Sequence, residues 1–231
     1  MKNAEAVAEF IKKAQTTDFP PEVIGAAKRA LTDWFCVSIG GSEEPVTLYT
    51  AKAAASWAGP GQAFLLSGGQ TTPAAAAMIN GTAGHALDYD DTHVRSVTHI
   101  GSPTIAAAMA LASHRGLEEG EVLAAIIAGY ETAARIGRGL GQPTNMRGFH
   151  ATGIFGSFGA TAAAAVLAKL SPNAVKNALG LTATQASGLT ASFGSMAKPF
   201  HAGKAAFNGV LAAEMARSEE HTSELQSPCN L

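Results

Sequence analysis

Apolar residues recur at three- and four-residue intervals along most of the chain, and this spacing predicts helix after helix. Val7, Phe10, Ile11 and Ala14 line one side of a helix over Glu5–Ala14. Pro20-Pro21 opens a second, with Val23, Ile24, Ala27, Leu31, Trp34 and Phe35 on its apolar side and Gly40-Gly41 as its stop. A third is predicted from Val46 to Trp57, then a short extended segment at Ala63–Leu66. Further helices are predicted at Pro73–Leu87, Pro103–His114, Glu119–Leu140, Ala151–Leu170, Pro172–Leu189 and His201–Ala216. No segment keeps the two-residue period of a strand, and no repeat is evident. The predicted fold class is all-α, a packed multi-helix domain with short Gly/Pro loops.

Composition sharpens this picture. Hydrophobic residues make up 47% of the 231, but much of that is alanine and only 6% of the chain is aromatic, so helices can approach closely. A formal net charge of −2 without any basic run argues against nucleic-acid partners. Apolar stretches such as Ala160–Ala168 are too short to cross a bilayer, so no membrane partner is expected. The first residues lack the apolar core of a secretion signal, which leaves the cytoplasm as the default expectation. Cys36 and Cys229 suggest neither a disulfide framework nor a metal site.

At Arg217 the alanine-rich text turns polar, with no Gly or Pro to end the predicted helix at Ala216. The string Arg217–Ser227 resembles the conceptual translation of a DNA-sequencing adapter. Residues 1–216 are therefore expected to be the domain, truncated at that point, and 217–231 a disordered tail foreign to it. His221 is left out of the candidate site for this reason.

Chemistry concentrates between His85 and His99. Three carboxylates, Asp88, Asp90 and Asp91, and three of the seven histidines fall within these fifteen residues, in otherwise apolar surroundings. If the Pro73 helix continued through Thr92, about 100° per residue would put His85, Asp88, Asp91 and Thr92 on one face. Asp88 and Thr92 would then touch one ligand or orient one histidine. Asp90 would point away, with a structural role such as pairing a nearby backbone group.

Three histidines are expected at helix starts: His99 before Gly101-Ser102-Pro103, His150 before Ala151-Thr152, and His201 after Lys198-Pro199. Unpaired N–H groups and the helix dipole attract anions there, so a pocket for a polyanion is predicted. Arg147, Lys198 and Lys204 stand near these starts and are candidate carboxylate binders. Lys198 is the strongest, because a cation at a helix start is unfavourable unless it faces an anion. His114, at a predicted helix C-terminus, reads as structural.

Other motifs carry less. Asp88-Tyr89-Asp90-Asp91-Thr92 fits the pattern of aspartyl-phosphate phosphatases, but no buried strand precedes it. A Mg²⁺-dependent helical prenyl-transfer enzyme is the distant alternative, since its Asp-Asp-x-x-Asp would need an acid where Val94 stands. Ser195-Met196-Ala197-Lys198 lacks the companions of a Ser-x-x-Lys nucleophile. Gly153, Gly156 and Gly159 have the wrong spacing for a dinucleotide fingerprint and suit close helix packing instead.

The motifs His85-Ala86-Leu87-Asp88-Tyr89-Asp90-Asp91-Thr92-His93, the helix start after His99, Gly148-Phe149-His150-Ala151-Thr152 and Met196-Ala197-Lys198-Pro199-Phe200-His201-Ala202-Gly203-Lys204-Ala205-Ala206 together resemble the MmgE/PrpD family, in order and over Ala4 to Ala216. The resemblance implies a large helical domain followed by a smaller α/β domain that is missing here. It implies a homodimeric lyase for small di- or tricarboxylates with no obligatory metal or cofactor. Dehydration of 2-methylcitrate ranks first among its activities, with cis-aconitate decarboxylation or dicarboxylate epimerisation as alternatives. Carried over position by position, the acid/base and substrate-binding residues are Asp88, Thr92, His99, His150 and Lys198, with His201 in the same motif. The chain as written is expected to be inactive and to expose apolar helix faces.

Overall fold

The computed structural model describes residues 2–220. Among these the order is α1 (Lys2–Ala14), α2 (Pro21–Gly41), α3 (Pro45–Ala54), a two-stranded antiparallel ribbon of β1 (Ala63–Phe64) and β2 (Gln70–Thr71), α4 (Pro73–Ala86), α5 (Gly101–Arg115), α6 (Glu119–Met146), α7 (Ala151–Leu167), α8 (Pro172–Gln185) and α9 (Ala197–Glu220). The fold is all-α. No described helix is long and apolar enough to cross a membrane.

Helix α7 is the axle. Nearly every one of its residues is buried, as a helix without a polar face must be. Helices α5, α6, α8 and α9 pack around it, and α4 packs against both α5 and α9. Small residues set the spacing. A Cβ at Gly203 would lie 2.2 Å from the Met78 carbonyl oxygen, so α9 and α4 touch backbone to backbone. Gly209 meets Ala160 of α7 in the same way, and Gly156 meets Pro103 of α5. The triplet Gly153, Gly156 and Gly159 is thus packing, as its spacing suggests.

Several boundaries differ from the sequence expectation, each for a local reason. Helix α4 ends at Ala86 rather than running on to Thr92: Leu87 caps it and Asp88 turns left-handed at φ 57°, a conformation Asp tolerates. Helix α9 starts at Ala197, four residues before His201, because Pro199 fits a first turn whose N–H groups have no partner anyway. Pro143 lies inside α6 without ending it; the carbonyl it leaves unpaired is that of exposed Gly139. Helix α8 stops at Gln185, and Leu189 instead forms a bridge with Phe149. Helix α9 continues past Ala216 to Glu220, so residues 217–220 of the expected tail are helical. The rest of that tail, 221–231, and with it Cys229 and His221, lies outside the described residues.

Candidate active site

The turn at Asp88 creates the site. By reversing the chain after α4 it delivers the Asp90 carboxylate to His85, whose Nδ1 lies 2.9 Å from one oxygen and 3.1 Å from the other. Both residues are buried, with 1% and 5% of their surfaces exposed. Residues 93–98 then form a tight loop: His93 and Thr98 pair across it, and Val97 takes φ 54°. Helix α6 backs the loop closely, since a Cβ at Gly141 would lie 2.1 Å from the Ser96 carbonyl oxygen. The loop returns His99 to the same carboxylate, its Nδ1 3.2 Å from Asp90 Oδ1. Ser102, in the first turn of α5, donates its hydroxyl to the other oxygen at 2.5 Å.

Asp90 is therefore the hub of the cluster, which corrects the expectation that it points away. The error came from extending the helical wheel past Ala86. The same error misplaced Asp91: it leaves the cluster, accepts the Gly101 N–H at 2.9 Å and faces a separate apolar cavity of about 670 Å³ lined by Phe10, Phe19, Val23, Ile126 and Tyr130. Burial, with the neighbouring Asp90 charge, lifts the Asp91 carboxyl to about 6. Asp88 and Thr92 do meet one histidine as anticipated, by a different backbone route. Thr92 Oγ1 is 3.4 Å from His99 Nδ1, and Asp88 Oδ1 is 3.9 Å from His99 Nε2.

The second side comes from α7 and α9. His150 stands immediately before α7, its N–H held by the Gly188 carbonyl at 3.0 Å. Its ring stacks on His85 at 5.7 Å, meets Phe193 edge-on at 4.9 Å, and places Nδ1 3.0 Å from His201 Nδ1. His201 is thus in the cluster, although it sits in the second turn of α9 rather than at its start. Gly188, at φ 149°, must be glycine: a side chain there would crowd both His150 and His201. Lys198, the second residue of α9, forms an ion pair with Asp88 and lies 5.3 Å from the Phe193 ring centre. That is the anion-facing arrangement its position required.

Two candidates stand apart. Lys204 donates to the side-chain oxygen of Asn208 and lies over Phe207, lining a different surface with Tyr49 and Trp57. Arg147 closes α6 as an exposed residue and forms no ion pair among the described residues. Sequence reading missed Ser102 as a donor to Asp90 and Phe193 as the wall against His150 and Lys198. Neither belongs to a charged cluster, so composition gave no signal. His114 sits at the end of α5 and accepts the Gln62 N–H, in the structural role expected of it.

The electrostatics divide the cluster. Burial opposes ionisation of Asp90, but hydrogen bonds from His85 and His99 outweigh it and hold the carboxylate well below its usual range. Burial likewise opposes charge on His99, yet the bond and charge of Asp90 and the charge of Asp88 raise it overall. His150 has no such partner. Desolvation, reinforced by His85, His201 and Lys198, lowers it to about 3. Desolvation also lowers His201.

The helical domain thus gathers carboxylates, imidazoles and an ammonium from three segments of the chain, residues 85–99, His150 and residues 198–201, into one charge-lined cluster. The chain belongs to the MmgE/PrpD family, its residues 5–225 matching the MmgE/PrpD N-terminal domain. It is 32% identical over 224 residues to the cis-aconitate decarboxylase-like protein oryM of Aspergillus oryzae, covering 91% of this chain and 46% of that protein. It is 30% identical over 218 residues to the cis-aconitate decarboxylase of Aspergillus terreus, covering 91% and 44%. Human cis-aconitate decarboxylase is 31% identical over 152 residues, covering 62% and 31%. The chain thus spans less than half the length of the curated relatives it matches.

Proposed function

We propose that this chain carries the helical half of a lyase that acts on a small di- or tricarboxylate by moving a proton beside a carboxylate. One observation carries the reading: two histidines in a single cluster are driven in opposite directions, His99 toward the imidazolium and His150 toward neutral imidazole. Such a divergence separates an acid from a base. Lys198 and the imidazolium of His99 bind substrate carboxylates, with Thr92 as a further donor. A bound polyanion brings negative charge beside His150 and raises it from about 3 toward neutrality, so the base gains strength when substrate arrives.

Two finer readings share this machinery. The names of the relatives favour decarboxylation of cis-aconitate. Carbon dioxide leaves with its bonding pair left on carbon, the adjacent carboxylates and double bond spread that charge, and an imidazolium returns a proton to carbon. Dehydration of a 2-methylcitrate-like substrate, the reading that follows from the resemblance, has His150 take the proton next to a carboxylate. His99 then gives one to the departing hydroxyl, which leaves as water. Active family members are proposed to be homodimers.

Turnover of cis-aconitate and 2-methylcitrate is measured in a full-length family member with the counterpart of His150 changed to Gln. A fall of about 10²–10⁴-fold is expected for a lost acid/base group. Unchanged turnover removes His150 from the mechanism. For this chain itself, NMR shifts on adding tricarballylate are expected at Thr92, His99, His150 and Lys198; shifts elsewhere alone contradict the proposed anion site.

A further inference from the structure

The cluster also holds a donor set of the kind that takes metal ions. His85, Asp88, Asp90 and His99 each offer one nitrogen or oxygen, and these four atoms all lie within 4.8 Å of one another. Two imidazoles and two carboxylates are a mixed set that Zn²⁺ and Co²⁺ accept in four-coordinate sites. His85 and Asp90 are buried and fixed against each other, and Ser102 steadies the Asp90 carboxylate from outside, as the partners of metal ligands do. The second ring nitrogen of His85, Nε2, is buried without a hydrogen-bond partner among the described residues, so this imidazole has bonding capacity to spare. Asp88 is half exposed, 52% for its side chain.

One cation already stands on this set, the Lys198 ammonium on Asp88. An ammonium and a dication sharing one carboxylate repel each other strongly away from bulk water. We propose that His85, Asp88, Asp90 and His99 form a first-row transition-metal site that Lys198 keeps closed, so that an ion such as Zn²⁺ binds only in competition with that ammonium. Bound metal withdraws Asp88 and His99 from their partners and so acts as a blocker of the anion site, not as a cofactor. Metal affinity does not depend on turnover, so this inference and the lyase reading can fail separately.

The test is a Co²⁺ titration of the purified chain, read by visible absorption, with Zn²⁺ as competitor and far-UV circular dichroism to confirm that each variant is folded. One Co²⁺ per chain with the intense bands of a four-coordinate site, displaced by Zn²⁺, is expected. His99→Gln and Asp88→Asn each weaken binding by about tenfold or more, at least the loss seen when outer-shell partners are removed. Lys198→Met tightens it by roughly tenfold, because a competing charge is gone. His201→Gln leaves it unchanged. A weak six-coordinate spectrum, binding lost with His201 or His93 but kept without His99, or an affinity indifferent to Lys198 would each overturn the proposal.

Discussion

The two sides of the cluster put the same side chain, imidazole, in opposite settings. On the α4–α5 side, His85 and His99 share one buried carboxylate, and Lys198 is balanced by Asp88. On the α7–α9 side, His150 and His201 meet each other, the Phe193 ring and the face of His85, with no carboxylate against either among the described residues. Burial disfavours charge on both sides. What separates them is whether a carboxylate is buried with the ring, and the outcome is a raised His99 facing a lowered His150.

The harshest way to break this contrast is to remove its source. Asp90→Asn removes the charge that His85, His99 and Ser102 share and turns one of its two acceptor oxygens into a donor. A loss of about 3 kcal/mol in chemical denaturation is expected, as when one partner of a buried pair is deleted. His99 then titrates lower, like His150; if NMR shows it unmoved, Asp90 does not set the division. Gly188→Ala attacks only the neutral side, forcing a side chain into a φ that favours glycine and against both rings. A cost of about 2 kcal/mol is expected, with His99 titration left as it was.

A pH series sharpens the contrast without mutation. His150 binds its proton near 3 when folded but near 6.5 when unfolded, so the unfolded chain takes up more protons between those values. The His150 contribution to stability is complete above 6.5 and fades as pH falls toward 3. Imidazole signals of His150 that stay neutral to below pH 5 would agree; a midpoint near 6.5 would not. Lys198→Met is the mildest change for the fold. Because Asp88 is half exposed, it should cost less than about 1 kcal/mol while abolishing the NMR response to tricarballylate.

The helices were legible because Pro starts, Gly stops and apolar spacing agree along the chain. The site was legible as a set of residue types: Asp88, Thr92, His99, His150, Lys198 and His201 do converge. Its centre was not. Asp90 and Asp91 are neighbours in one acidic run, and only the left-handed turn at Asp88 decides which goes inward. No periodicity reports a single residue's φ. Lys204 and Arg147 stood as candidates behind the stronger Lys198 on proximity along the chain alone, which does not report where a side chain ends up.

The bare-backbone contact between α4 and α9 has a consequence for how the molecule can fail. Asp88 follows one of these helices and Lys198 opens the other, and Gly203 seats the two directly against the Met78 carbonyl and Thr82. The end that carries Asp88 and Lys198 therefore has little room to breathe ahead of the rest. Heating should extinguish it in step with cooperative melting, and amide exchange near Asp88 should be as slow as in the middle of α9.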